Sequence, residues 1–116
     1  MGAVAALMKD KDKLREIGAR LKQRAEEVRA AGEAGGGAVR VTVNGQMKVL
    51  EVDLAPALVA GMAADERTRA LAGSLIADAV NHATSTAQLM MKTVIDKESR
   101  DLGLPDLGES LGSLLK

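Results

Sequence analysis

The sequence predicts an α+β fold in the order helix, β-hairpin, long helix, assembled as a dimer with a shared antiparallel sheet and protruding helical arms. Three observations predict it. Apolar residues recur at helical spacing over residues 7–31 and again over residues 65–102. Between them Val39-Arg40-Val41-Thr42-Val43 alternates and runs into Asn44-Gly45, a strong hairpin signal. Lastly, a two-stranded hairpin is marginal alone in water, and a helix of about 38 residues spans roughly 55 Å, more than a domain of 116 residues is wide. Both features ask for a second copy of the chain.

The first helix, residues 7–31, rests on Leu7, Leu14, Leu21 and Val28, which stand seven apart, with Ile17 three after Leu14. Asp10 and Arg24 occupy the positions equivalent to Ile17, so the seam is half apolar. Gly32 stops this helix, and Gly35-Gly36-Gly37 makes a flexible break. The hairpin follows over residues 38–54. A two-residue type I′ turn at Asn44-Gly45 pairs Val43 with Gln46, Val41 with Lys48 and Val39 with Leu50. Val39, Val41, Val43, Leu50 and Val52 then share one face, and Arg40, Thr42, Val49 and Glu51 the other.

Residues 56–64 read as a short turn or helical fragment. Asp65 caps the long helix, expected over residues 65–102, whose apolar stripe is Leu71, Leu75, Ala79, Ala83, Met90 and Val94, widened by Ala72, Ile76 and Ala87. Met91 is left for the dimer seam. Val39, Val41, Val43, Leu50, Val52, Leu75, Ala79 and Ala83 are the expected core and dimer contacts. Gly103-Leu104-Pro105 ends the helix, which gives one domain over residues 1–107 and a flexible tail over residues 108–116.

Composition argues against an enzyme. The chain has no Cys, hence no disulfide, thiolate nucleophile or thiolate metal site, and only one His, His82. Asp78 stands one turn before His82, but no nucleophile or second ligand accompanies the pair. The glycines of residues 32–37 precede a strand and lack the Gly-Lys-Ser/Thr of a phosphate loop. No catalytic residue, metal, cofactor or small-molecule substrate is expected. No run approaches the roughly 18 apolar residues of a membrane span, and no targeting segment is apparent, so a cytoplasmic protein is expected.

Net charge is zero, sixteen Lys+Arg against sixteen Asp+Glu, but it is unevenly spread. Residues 1–31 hold eight basic and five acidic side chains. Arg15, Lys22 and Arg29 recur every seven residues, and Lys13 and Arg20 make a shorter line on the other flank. Doubled in a dimer, these lines suit phosphate contact; a solvated helix laced with ion pairs is the plainer alternative. With no Phe, Trp or Tyr, the chain lacks the rings on which single strands stack. Any nucleic-acid partner should therefore be duplex DNA, bound with low sequence specificity.

Several stretches carry a resemblance. They are Leu7-Met8-Lys9 opening a charged helix, Gly32-Glu33-Ala34-Gly35-Gly36-Gly37, and Val39-Arg40-Val41-Thr42-Val43-Asn44-Gly45. To these add the strand Val49 to Leu54 with Asp53, then Pro56 and Leu58, Ala79-Val80-Asn81-His82-Ala83, and Gly103-Leu104-Pro105. Together they resemble the YbaB/EbfC family of bacterial nucleoid-associated proteins over roughly residues 7–107. The resemblance implies a tweezers-like homodimer in the cytoplasm and nucleoid that binds DNA and affects nucleoid organisation and gene expression. It implies DNA contacts on the arms, which by position fall on Lys9, Lys11, Lys13, Arg15, Arg20, Lys22 and Arg24, with Lys92, Lys97 and Arg100 late in the long helix. Arg29 joins them through the seven-residue line. The first helix departs from the family's common Met/Gln-rich form in being rich in Lys, Arg, Asp and Glu. The alternative function is a protein–protein module that docks through the half-apolar seam without touching DNA.

Overall fold

Residues 11–101 are described by a computed structural model, with the side chains of Lys11 and Lys13 excepted. The expectations for Leu7, Lys9 and Asp10, for the Gly103-Leu104-Pro105 exit and for the tail lie outside these residues. The order is helix α1 (Lys11–Glu27), strands β1 (Ala30–Ala34), β2 (Val39–Val43) and β3 (Val49–Leu54), helix α2 (Pro56–Ala64) and helix α3 (Glu66–Asp101). The three strands form one antiparallel sheet in the order β1-β2-β3. The α+β class is as expected, but the sheet has a strand that the sequence pattern does not announce.

That strand is Ala30-Ala31-Gly32-Glu33-Ala34, expected as the end of a helix and a break. Alanine prefers helix, yet tertiary contact overrides that weak preference. Gly32 lies flat on α3, where a Cβ would overlap the backbone of Ala79 and Ala83. The close approach holds the segment extended against β2, with Ala30 opposite Val43 and Ala34 opposite Val39. Gly35, Gly36 and Gly37, at φ 65°, 67° and 93°, then turn the chain back. Three successive residues in the left-handed region suit only glycine, so the expected flexible break is a hairpin turn.

The second hairpin also departs in register. Val39 faces Leu54, Val41 faces Val52 and Val43 faces Val49, with a bulge between the last two rungs, so Val39 is not paired with Leu50. The turn is longer than two residues because the Asn44 side chain organises it. Its Oδ1 accepts from the Gln46 and Lys48 amides at 2.9 and 3.1 Å, and the Asn44 amide donates to the Lys48 carbonyl. Met47 sits at φ 62° within this loop. Gly45 is wedged between helices: its amide donates to the Ala25 carbonyl at 2.8 Å, and a Cβ there would overlap the Met91 sulfur.

Pro56 opens α2, where its fixed φ and missing N–H suit the first turn, and Leu58 is the one buried residue of that helix. Asp65 then caps α3 as expected, its Oδ1 accepting from the Arg67 amide at 3.0 Å. The 36 residues of α3 run about 54 Å. Ala72, Ala79, Ala83 and Ala87 are fully buried beneath β1 and β2, along with Val39, Val41 and Val43. Leu75 and Ile76 pack at the margin of this core. The centre of the stripe is as expected and its ends depart: Leu71 and Met90 are exposed, while Met91 and Ile95 are buried. One residue turns a helix by about 100°, so Met90 and Met91 exchange roles.

The helix lies across β1 and β2 and barely touches β3. Val49, Leu50 and Val52 are therefore each more than two-fifths exposed, although they are apolar and Val52 faces the buried Val41.

Gly32→Ala should lower unfolding stability by about 3 kcal/mol, because the clash is with backbone that cannot turn aside. Gly36→Ala, with open space around it and only its positive φ to offend, should cost about 1–2 kcal/mol. Urea titrations at one protein concentration compare the two.

Candidate nucleic-acid interface

The overhang of α3 beyond the sheet receives α1. Ala25 and Val28 cluster with Met91 and Ile95, with Leu21, Val94 and Met47 around them. Ile17 continues the buried side of α1, so the working seam is Ile17-Leu21-Ala25-Val28 and Leu14 lies at its exposed margin. Residues late in α1 meet residues early in the overhang, and Arg20 and Arg24 meet Glu98 further along. The helices run antiparallel as a two-helix arm.

Arg24, the polar intruder in the seam, has a partner 74 residues away. Its Nε lies 3.4 Å from Glu98 Oε1, and Arg20 Nη2 lies 3.1 Å from Glu98 Oε2. Glu98 is 7% exposed at its side chain, against 45% and 52% for the two arginines. Breaking a fully buried pair costs about 3–5 kcal/mol; the water-facing guanidinium groups bring this one below that range. Glu27 adds a second carboxylate at 3.5 Å from Arg24 Nη1. Sequence reasoning missed Glu98 altogether; its one local signal is an arginine where the seam wants an apolar residue.

The expected contact residues separate into groups. Lys9 lies outside the described residues, and Lys11 and Lys13 belong to α1. Arg20 and Arg24 are engaged with carboxylates. Arg29 donates through Nη1 to the carbonyls of Glu26 and Val28 at 2.6 and 3.0 Å, and so closes the C-terminal end of α1. Arg100 leans on the Asp96 carbonyl. Arg15, Lys22, Lys92 and Lys97 are exposed and form no ion pair with another described residue. At about 100° per residue, Arg15 and Lys22 stand on the opposite flank of α1 from Arg20 and Arg24.

Charge follows the architecture. Residues 11–29 carry seven basic against four acidic side chains, and residues 30–90 carry four against six. On the sheet face turned away from α3, Arg40 lies between Glu33 and Asp53 in one cross-strand row, with Glu51 opposite Thr42 in the next. Arg40 pairs with Glu33 at 3.7 Å. That face is acidic and the α1 side of the arm is basic.

This arrangement of sheet and overhanging arm has relatives. The sequence matches the YbaB/EbfC DNA-binding family over residues 1–101. The chain belongs to that family. It is 32% identical over 107 residues to a nucleoid-associated protein of Synechococcus sp. (strain JA-2-3B'a(2-13)), covering 92% of this chain and 91% of the relative. A nucleoid-associated protein of Legionella pneumophila (strain Corby) is 32% identical over 99 residues, covering 85% and 83%. The crystal structure of an uncharacterized protein from Helicobacter pylori shares the fold with a TM-score of 0.55 over 72% of this chain and 90% of its own, at 16% identity. Membership in a family of DNA-binding proteins makes the chain a binding protein, not an enzyme.

In this YbaB/EbfC chain the single histidine has a structural task. His82 Nδ1 accepts from the Glu33 amide of β1 at 3.1 Å, which requires the tautomer with the proton on Nε2. His82 thereby occupies a backbone donor on one outer strand, whereas β3 at the other edge has no further strand beside it among the described residues. His82→Ala should cost about 1 kcal/mol in a urea titration and leave duplex affinity unchanged, since the ring serves the strand.

Proposed function

We propose that the protein is a homodimer that binds duplex DNA with low sequence specificity at the nucleoid, in the cytoplasm, and influences nucleoid organisation and gene expression. Phosphate contacts come from basic side chains on the helical arm, chiefly Arg15 and Lys22 with Lys92 and Lys97. The observation that carries this reading is the segregation of charge: cations outside any ion pair with another described residue on the exposed flank of α1, carboxylates on the outer sheet face. A polyanion is drawn to the first and repelled by the second. Names of relatives in Synechococcus and Legionella, both nucleoid-associated proteins, support the cellular setting.

Low specificity follows from chemistry. Without aromatic rings and with no groove-reading module, the chain reads phosphates, which carry no sequence. The packing of Ala25 and Val28 on Met91 and Ile95 favours this reading over the docking-module alternative, because that stretch of the seam is covered. No helix among the described residues is long and apolar enough to cross a membrane. Dimerisation is supported by β3, an edge strand among the described residues, whose exposed Val49, Leu50 and Val52 suit pairing with the same strand of a second copy.

Two experiments test the reading. Arg15→Glu combined with Lys22→Glu should weaken binding to a random duplex at least tenfold near 100 mM salt. The slope of log K against log salt should flatten by roughly 1.8 per protomer, about 0.9 for each phosphate that is no longer neutralised. An unchanged slope would place the phosphate-binding side chains elsewhere. Val52→Lys, which sets a charge on the β3 edge, should convert a dimer to a monomer in light scattering while the helical circular dichroism persists. A dimer that survives this change would not be joined through β3.

A further inference from the structure

Glu98 is the one buried charged side chain among the described residues. Its two oxygens face two guanidinium groups one helical turn apart, Arg20 at 3.1 Å and Arg24 at 3.4 Å. Two oxygens shared between two arginines is also how a phosphate is held. We propose that Glu98 is an intramolecular stand-in for phosphate, an autoinhibitory contact that withholds Arg20 and Arg24 from DNA. The inference rests on the duplex-binding reading and refines it: of the two basic flanks of α1, one is open and the other is occupied by the protein itself.

Arg20 and Arg24 are matched by Glu98 and Glu27, so these two arginines present no net charge to an approaching phosphate. Drawing both arginines away would leave the Glu98 carboxylate buried without a cation, which strongly disfavours the exchange. Neutralising Glu98 removes both the competitor and the penalty. The guanidinium groups are about half exposed, so once released they need no further opening to reach a duplex.

The test compares the full chain with Glu98→Gln, Arg24→Gln and the combination, each checked for helical circular dichroism, on one labelled random duplex across a salt series. Glu98→Gln should bind at least fivefold tighter at fixed salt. Its slope should steepen by about 0.9 for each guanidinium released. Arg24→Gln in the native background should stay within about twofold of the native chain, and added to Glu98→Gln it should take back part of the gain. A folded Glu98→Gln that binds equally or more weakly overturns the inference. So does a large loss of affinity from Arg24→Gln alone, which decides the matter even where Glu98→Gln does not fold. A native chain that binds while Glu98→Gln gains nothing sinks this inference alone; no binding by either sinks the duplex reading with it.

Discussion

The backbone of Gly32 pressed onto the Ala79–Ala83 turn of α3 is the contact on which the rest of the molecule depends. A core without Phe, Trp or Tyr has no bulky side chains to fill a thick interlayer. It gains its density by bringing sheet and helix close, with Ala72, Ala79, Ala83 and Ala87 forming a flat track under the valines of β2. That track accommodates the sheet over part of α3 only. The helix runs on past it, and the overhang is dressed with Met91 and Ile95, larger residues that receive a second helix. Arm and sheet are thus two halves of one helix, told apart by the size of the residues on its buried stripe.

The same division organises the electrostatics. Where α3 lies under the sheet, the surrounding surface is acidic; where it carries α1, the added helix brings the positive charge. Zero net charge conceals an uneven distribution, and the proposed pairing of two copies through β3 would set two basic arms about one acidic centre. Within the arm, the ion pairs at Glu98 fasten α1 at a point beyond its apolar contacts. The arginines that sequence alone offers as DNA contacts thereby divide into those paired with carboxylates, Arg20 and Arg24, and those outside any ion pair with another described residue.

Much of this was legible where chemistry is local. The alternation of β2, the cap at Asp65 and the alanine-rich stripe of α3 announce themselves in short windows. β1 did not, because Ala30, Ala31 and Ala34 favour helix and the reason for extension, the approach of Gly32 to α3, lies some fifty residues away. The glycines after it signalled a break in helix, and only their positive φ values make them a turn. The hairpin register is not legible in the sequence because Asn44 can close a type I′ turn or cap a longer loop, and Gly45 is required between two helices. At the candidate site, the basic residues were visible as a set. Which of them are spent on carboxylates depended on Glu98, a residue no spacing rule connects to Arg24.

Amide exchange along the chain, followed with and without a saturating random duplex, shows which surface meets DNA. DNA bound at the arm should slow exchange and shift resonances along α1 around Arg15 and Lys22 and along α3 around Lys92 and Lys97. The row Glu33–Arg40–Asp53 on the outer sheet face should be unaffected. Changes concentrated on that row, with α1 untouched, would contradict binding at the arm.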